Sequence, residues 1–318
     1  MNVFRVVLSL FLVLFTGYLL KRRGILRDTD IGVINRLILD VTLPAFVFHA
    51  LYRQRVTADM VHAAWLFAVL QVLVMALLWL PARLFRFPRP VTGTFLLTAV
   101  YGNTGFLGYP VVQAIFGKTE GAMAAAVVYD QFSMALPVYT VGVAVAMHYG
   151  SKKGANDYSP QQAISWREML SFFTTPTFVV LIGTLFINAL QVPVPSFVSH
   201  AAQLVAGATV PLVLLSLGLM LEPAHLRANH YYLPMVLILV TKMALFPWLM
   251  WLATGWAGVQ GIARLVAVTQ SAMPSAMVNA VITERYGCDH TLATLVIVIG
   301  TLFTLIVLPV TAALLGIR

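Results

Sequence analysis

Long apolar runs alternate along the chain with short polar interruptions. The apolar segments fall at about 4–20, 31–52, 61–80, 92–116, 121–148, 169–190, 197–221, 232–253, 261–283 and 291–316. Each is long enough to cross the ~30 Å hydrocarbon core of a bilayer as an α-helix. Barrel strands would be far shorter and would alternate, so the pattern predicts an all-α membrane protein of about ten spans. The longest polar stretch, Tyr149 to Glu168, separates the fifth span from the sixth and is too short to fold as a domain. The chain therefore divides into a five-span half at 1–149, a linker at 150–168 and a second five-span half at 169–318.

The halves echo one another. Pro44 and Pro211, Pro110 and Pro274, Gly117 and Gly287, and Pro137 and Pro309 all lie 164–172 residues apart. An odd number of spans per half gives the two halves opposite orientations in the membrane. Inverted repeats of this kind are a signature of secondary transporters.

Two of the spans carry helix breakers where a break is most costly. "YGNTGFLGYP" (Tyr101 to Pro110) interrupts the fourth, and "TQSAMPSAMVN" (Thr269 to Asn279) interrupts the ninth. Non-helical backbone survives at membrane depth only inside protein or beside a water-filled cavity. Single proline kinks usually shape packing, but two breaks at matched positions, each among polar residues, suggest a site. Half-helix N-termini there carry partial positive charge and free N–H groups, which suit an anion. Asn103, Thr104 and Pro110 at the first break, and Gln270, Ser271, Pro274, Ser275 and Asn279 at the second, are the candidate substrate-binding residues.

Composition agrees with the pattern. The chain is 60% hydrophobic and 10% charged, against about 25% charged in soluble domains. The formal charge of +9 lies in short clusters between apolar runs. That is the orientation signal of membrane helices and not the footprint of a nucleic-acid binder. Placing the N-terminus outside puts twelve basic residues on the cytoplasmic side: Lys21, Arg22, Arg23, Arg27, Arg83, Arg86, Arg89, Lys152, Lys153, Arg167, Arg227 and Arg285. Six stay on the other side: Arg5, Arg53, Arg55, Lys118, Arg264 and Arg318. Both termini are thus expected outside. The first apolar run precedes its basic cluster, so it reads as a retained span and not as a cleaved leader.

Three ionisable residues, Asp40, Asp130 and Lys242, fall inside predicted spans. A charge at mid-bilayer costs at least ~2.5–3.5 kcal/mol on insertion scales, so each needs a cavity or a partner. Asp130 and Lys242 lie at similar depth. They could form a structural ion pair, or the lysine could snorkel to the interface. The functional alternative makes Asp130 a group that couples to H+ or Na+, with Lys242 a counter-charge for it or for the substrate. Asp40 fits either kind of role. Gln71, Tyr129 and Gln131 are candidates for lining a path.

Enzymatic chemistry finds little support. Cys288 is the single cysteine, and His49, His62, His148 and His200 fall near span ends without metal-site spacing. No phosphate-binding glycine loop is present. Ser271 and Ser275 lack a triad context, and Asp40 and Asp130 lack that of an aspartyl dyad. No cofactor is implied beyond a coupling ion.

The quoted motifs carry a resemblance. "NTGFLGYP" with the following "IFG" is similar to the fourth-span motif of the auxin efflux carrier family, and "AMPSAMVNAVITERYGCDHTLATLVIVIGTLFTLIVLP" (Ala272 to Pro309) to its last two spans. "LILDVTLPAFVF" and "ATVPLVLLSLGLML" resemble its second- and seventh-span signatures. The resemblance implies a ten-span inverted repeat with crossed broken helices, akin to bile-acid symporters and Na+/H+ antiporters, in which a transport domain moves against a scaffold. It assigns Asn103, Pro110 and Pro274 to the crossing. Asn279 departs from the pattern, standing where plant members tend to have proline. The short central linker resembles bacterial members that carry malonate and related acids, in the inner membrane with periplasmic termini. The expected substrate is therefore a small organic anion, malonate-like before auxin-like, and a homodimer is plausible. An anion channel or a membrane sensor is the alternative of a different class.

Overall fold

The structure, a computed structural model, describes residues 3–150, 170, 172–221 and 231–316. Nearly all of the 150–168 linker lies outside the described residues, as do Lys152, Lys153, Arg167, Arg227 and Arg318. The helices are α1 (Val3–Arg22), α2 (Thr29–Leu51), α3 (Ala58–Leu84), α4 (Arg89–Val100), α5 (Thr104–Phe116), α6 (Ala122–Tyr149), α7 (Pro176–Ala189), α8 (Ser196–Leu219), α9 (Tyr232–Trp256), α10 (Gly261–Ser271), α11 (Val278–Arg285) and α12 (His290–Leu314). Seven of them, α1, α2, α3, α6, α8, α9 and α12, are long and apolar enough to cross a membrane. The fourth and ninth apolar runs are each split in two, and the sixth yields a helix of 14 residues starting at Pro176. No strand occurs among the described residues.

The long helices are not uniform, and four of the five π-turns among the described residues precede prolines, the fifth being Val138–Gly142. Wide π-turns cover Ile38–Thr42, Thr104–Gly108, Gln131–Ala135 and Thr241–Leu245. Each ends two residues before a proline: Pro44, Pro110, Pro137 and Pro247. Proline has no N–H to offer the preceding turn, and its ring crowds the carbonyl four residues back. Widening that turn relieves the clash and re-pairs the freed carbonyls, so these helices continue instead of ending.

Packing is closest between α1 and α8. A Cβ on Gly17 would run into the carbonyl oxygen of Leu215, and one on Gly218 into that of Leu14. Glycine at these two places lets the backbones touch, which is how membrane helices associate without a hydrophobic driving force. Helix α7 packs along the second half of α2, from Thr177 beside Leu39 to Asn188 beside Leu51, while α4 packs on α12 and α10 packs on α6. Thr209 at the start of the α8 proline signature donates through Oγ1 to the Thr42 carbonyl of the α2 signature at 2.9 Å.

Leu77, Phe186, Trp256 and Leu314 stay widely exposed on the outside, as lipid-facing side chains should. The Arg22 and Arg83 guanidiniums lie over the rings of Tyr18 and Trp79 near helix ends, the arrangement of interfacial anchors. The α3–α4 and α11–α12 connections come together at one face, where the Asp289 N–H donates to the Pro90 carbonyl at 3.2 Å and Arg89 donates to the His148 carbonyl.

Candidate functional site

The two breaks lie against each other. After α4, Tyr101 turns to an extended conformation (φ −87°, ψ 120°). Gly102 and Ser275 then form an isolated antiparallel bridge. The Asn103 N–H donates to the Pro274 carbonyl at 2.7 Å, and the Ala276 N–H donates to the Tyr101 carbonyl at 2.9 Å. Each break thus supplies the hydrogen bonds that the other lost, which a buried non-helical segment requires.

Side chains complete the accounting at the carbonyl end of α4. Ser275 Oγ donates to Thr98 O at 2.6 Å, and Asn279 Nδ2 donates to Tyr101 O at 3.1 Å and to Leu97 O at 3.4 Å. Lys242 Nζ donates to Val100 O at 3.0 Å. The ammonium is 1% exposed and sits 4.7 and 5.3 Å from the ring centres of Phe246 and Phe67. A cation at a helix C-terminus meets the negative end of the dipole, and aromatic faces replace part of its lost hydration. Gly102 makes the position possible, since its Cβ would lie 2.7 Å from Lys242 Nζ. Lys242 therefore neither snorkels nor pairs with Asp130. The two point to different partners.

The Asp130 carboxylate is 6% exposed and takes three hydrogen bonds. Thr104 Oγ1 donates to Oδ1 at 2.5 Å, while Tyr109 OH and Gln131 Nε2 donate to Oδ2 at 2.7 and 2.8 Å. All three donors are neutral, so Asp130 has no hydrogen-bonded counter-charge.

Asp130 lines a cavity of about 240 Å³ between α2, α5, α6, the start of α7 and the start of α11. Asn103, Gln131 and Asp40 share its wall with Gly105, Phe106, Met277 and Val278. The N–H groups of these last four, the first turns of α5 and α11, take no carbonyl partner. Asn103 is 3% exposed and its Nδ2 has no acceptor. Buried donors are seldom left unpaired, so this cluster invites an external acceptor. The remaining wall is largely apolar and includes Met134, Val138, Tyr139 and Phe172. Among the described residues it contains no lysine, arginine or histidine.

Among the eight proposed binding residues, only Asn103 lines this cavity. Thr104 holds Asp130, and Ser271 turns back to Val268 O at 2.7 Å. Pro274, Ser275 and Asn279 brace the breaks, and Pro110 follows the π-turn in the first turns of α5. Gln270 lies against Gly108, where a Cβ would overlap its Oε1, and both its amide atoms are unpaired. Gln71 and the Tyr129 hydroxyl are likewise buried without partners. Of the charged candidates, Asp130 and Asp40 reach the cavity and Lys242 does not. Sequence reasoning missed Tyr109, whose polar ring stood beside Pro110 in the quoted motif. It also missed the apolar wall, which has no signal in the sequence.

Seven helices long and apolar enough to cross a membrane, two mutually paired breaks and a lined cavity at their junction are the architecture of a multi-pass membrane protein. Residues 2–312 match the profile of the membrane transport protein family, the auxin efflux carriers, and the chain belongs to that family. It is 27% identical over 308 residues to an uncharacterized transporter of Methanocaldococcus jannaschii, covering 95% of this chain and 96% of the relative. It is 29% identical over 308 residues to an uncharacterized transporter of Methanothermobacter thermautotrophicus, covering 95% of each.

Proposed function

We propose that the protein is a secondary carrier of small organic anions that binds its cargo in the Asn103–Asp130 cavity. The observation that carries this reading is the pair of open helix N-termini, at Gly105–Phe106 and Met277–Val278, on one cavity wall beside the unpaired Asn103 amide. Free N–H groups and a positive dipole end favour a carboxylate at each. Two such ends suit a malonate-like dicarboxylate. A second reading has its own support: the apolar wall of Met134, Val138, Tyr139 and Phe172 suits an auxin-like aromatic monocarboxylate.

Among the described residues the wall holds two carboxylates and no cation, and these oppose any anion that enters. Uptake of a proton or a cation such as Na+ at Asp130 removes that opposition, which would couple cargo to an ion. Thr104, Tyr109 and Gln131 hold the carboxylate in place for this step. For movement, we read the chain as two inverted five-span halves. The reciprocal packing of α1 on α8 and α7 on α2, and of α4 on α12 and α10 on α6, supports this. Helices α1, α2, α7 and α8 then form a scaffold past which the rest slides as an elevator. The basic residues of the α1–α2 and α3–α4 connections, Lys21, Arg22, Arg23, Arg27, Arg83, Arg86 and Arg89, support a cytoplasmic face there, with the opposite face outside a bacterial inner membrane. A homodimer through the scaffold is compatible with this arrangement.

Counterflow in proteoliposomes tests the reading. Radiolabelled malonate is expected to enter only when unlabelled malonate is trapped inside. An aromatic acid such as indole acetate that drives the exchange more strongly would select the second reading. Uptake of either anion without trans-stimulation would indicate a channel.

A further inference from the structure

Among the described residues no cationic side chain lines the central cavity, yet cations gather elsewhere on the same helices. A second cavity, of about 540 Å³, lies where α2 and α5 end and α6 begins, flanked by the first turns of α8. His49, Arg53, Lys118, Glu120 and Gln113 line it, with Phe46 at its wall. Among the described residues, two permanent cations stand there against one acid. Phe46 packs on Tyr109 at 5.1 Å between ring centres, and the Tyr109 hydroxyl donates to Asp130. The two cavities are thus joined through one aromatic pair.

Arg53 is also pre-set. It occupies the left-handed region (φ 63°), unfavourable for a side chain of its size. The turn that imposes this conformation is braced from α7, because Asn188 Nδ2 donates to Leu51 O at 3.1 Å and to Gln54 O at 2.6 Å. The guanidinium lies 5.2 Å over the Tyr52 ring, and the Tyr52 hydroxyl accepts from the Val194 N–H at 3.0 Å. The braced turn also separates this cavity from a third, of about 740 Å³, where Arg53 recurs with Arg55.

We infer that the Arg53–Lys118 vestibule is a capture site for carboxylate anions, distinct from the central cavity and ahead of it on the path. Cations focused in a cleft raise the local concentration of an anion and its rate of entry. Placing them at the mouth and not at the centre avoids holding the cargo too tightly to release. This inference rests on the carrier reading only for the identity of the anion.

The test does not require transport. Thr119, exposed in the vestibule, is changed to cysteine, and its modification by an anionic and a cationic methanethiosulfonate is timed in nanodiscs of zwitterionic lipid. Burial pushes the native Cys288 thiol up to about 12, so its background reaction is slow. The anionic reagent is expected to react several-fold faster at low salt. Arg53→Gln with Lys118→Gln should lower the anionic-to-cationic ratio about tenfold, and malonate should slow the anionic reaction in the parent alone. A ratio unchanged by the two substitutions overturns the inference. So does a preference that vanishes when anionic lipid is added, which would make a lipid headgroup the occupant. In counterflow, the same pair should raise the malonate KM from the vestibule side about tenfold while leaving that from the other side unchanged. Equal change on both sides would place the effect in the central cavity and overturn it. A wild type without counterflow but with the expected reagent ratio would fault the carrier reading and leave the vestibule standing.

Discussion

Replacing Asp130 by asparagine is expected to lower substrate exchange by at least about tenfold and to abolish its dependence on pH or on a coupling cation. The carboxylate accepts from Thr104, Tyr109 and Gln131 and donates to nothing. An asparagine has one acceptor oxygen, and its NH2 group would face donors on the other side. One buried donor then loses its partner, at a cost of about 1–3 kcal/mol. More directly, a neutral side chain cannot take up a proton or cation. If a proton neutralises Asp130, exchange in the wild type quickens as pH falls, because the anion then meets one negative charge fewer. The Asp130→Asn profile should be flat across the same range. A variant that keeps both its rate and its pH slope would remove Asp130 from coupling.

Lys242→Met is expected to show the opposite pattern in stability. Burying an ammonium costs several kcal/mol, and its contact with the Val100 carbonyl and two rings returns only part of that. Methionine fills much of the same volume without the charge, so thermal unfolding in detergent should occur at an unchanged or higher temperature. Exchange should nonetheless fall about tenfold or more, because the positive charge at the α4 carbonyl end sets the potential around the breaks. A fall in melting temperature together with activity would make Lys242 a structural cap alone. Lys242→Arg should not rescue: Gly102 leaves no room for a guanidinium beside its backbone.

Much of this arrangement was legible in the sequence because it is written in breakers and polar residues. Gly102, Pro110 and Pro274 marked the breaks, and the apolar runs placed the helices to within a few residues. The 169–190 run fared worse, since Pro176 favours a helix start and the residues before it form a short 3₁₀ turn. The partners of the polar residues were not legible. Depth along a helix can be counted, but azimuth depends on packing, so Asp130 and Lys242 read as possible partners although each faces another group. Ser275 and Asn279 read as ligand contacts because a sequence does not show that a broken helix leaves carbonyls for them to bond. The cavity wall draws on α2, α5, α6 and α11, which only the tertiary fold brings together.

The central claim is that the cargo binds where the two breaks meet, and Asn103 tests it most directly. Its N–H is tied to Pro274, so the backbone should survive truncation of a side chain whose own Nδ2 is unpaired. Malonate counterflow by wild type and Asn103→Ala, reconstituted at equal amounts, is the measurement. The account predicts exchange in the wild type and a loss of about tenfold or more in the variant, with the melting temperature unchanged. Full exchange by a folded Asn103→Ala would contradict it and move the binding site away from the breaks.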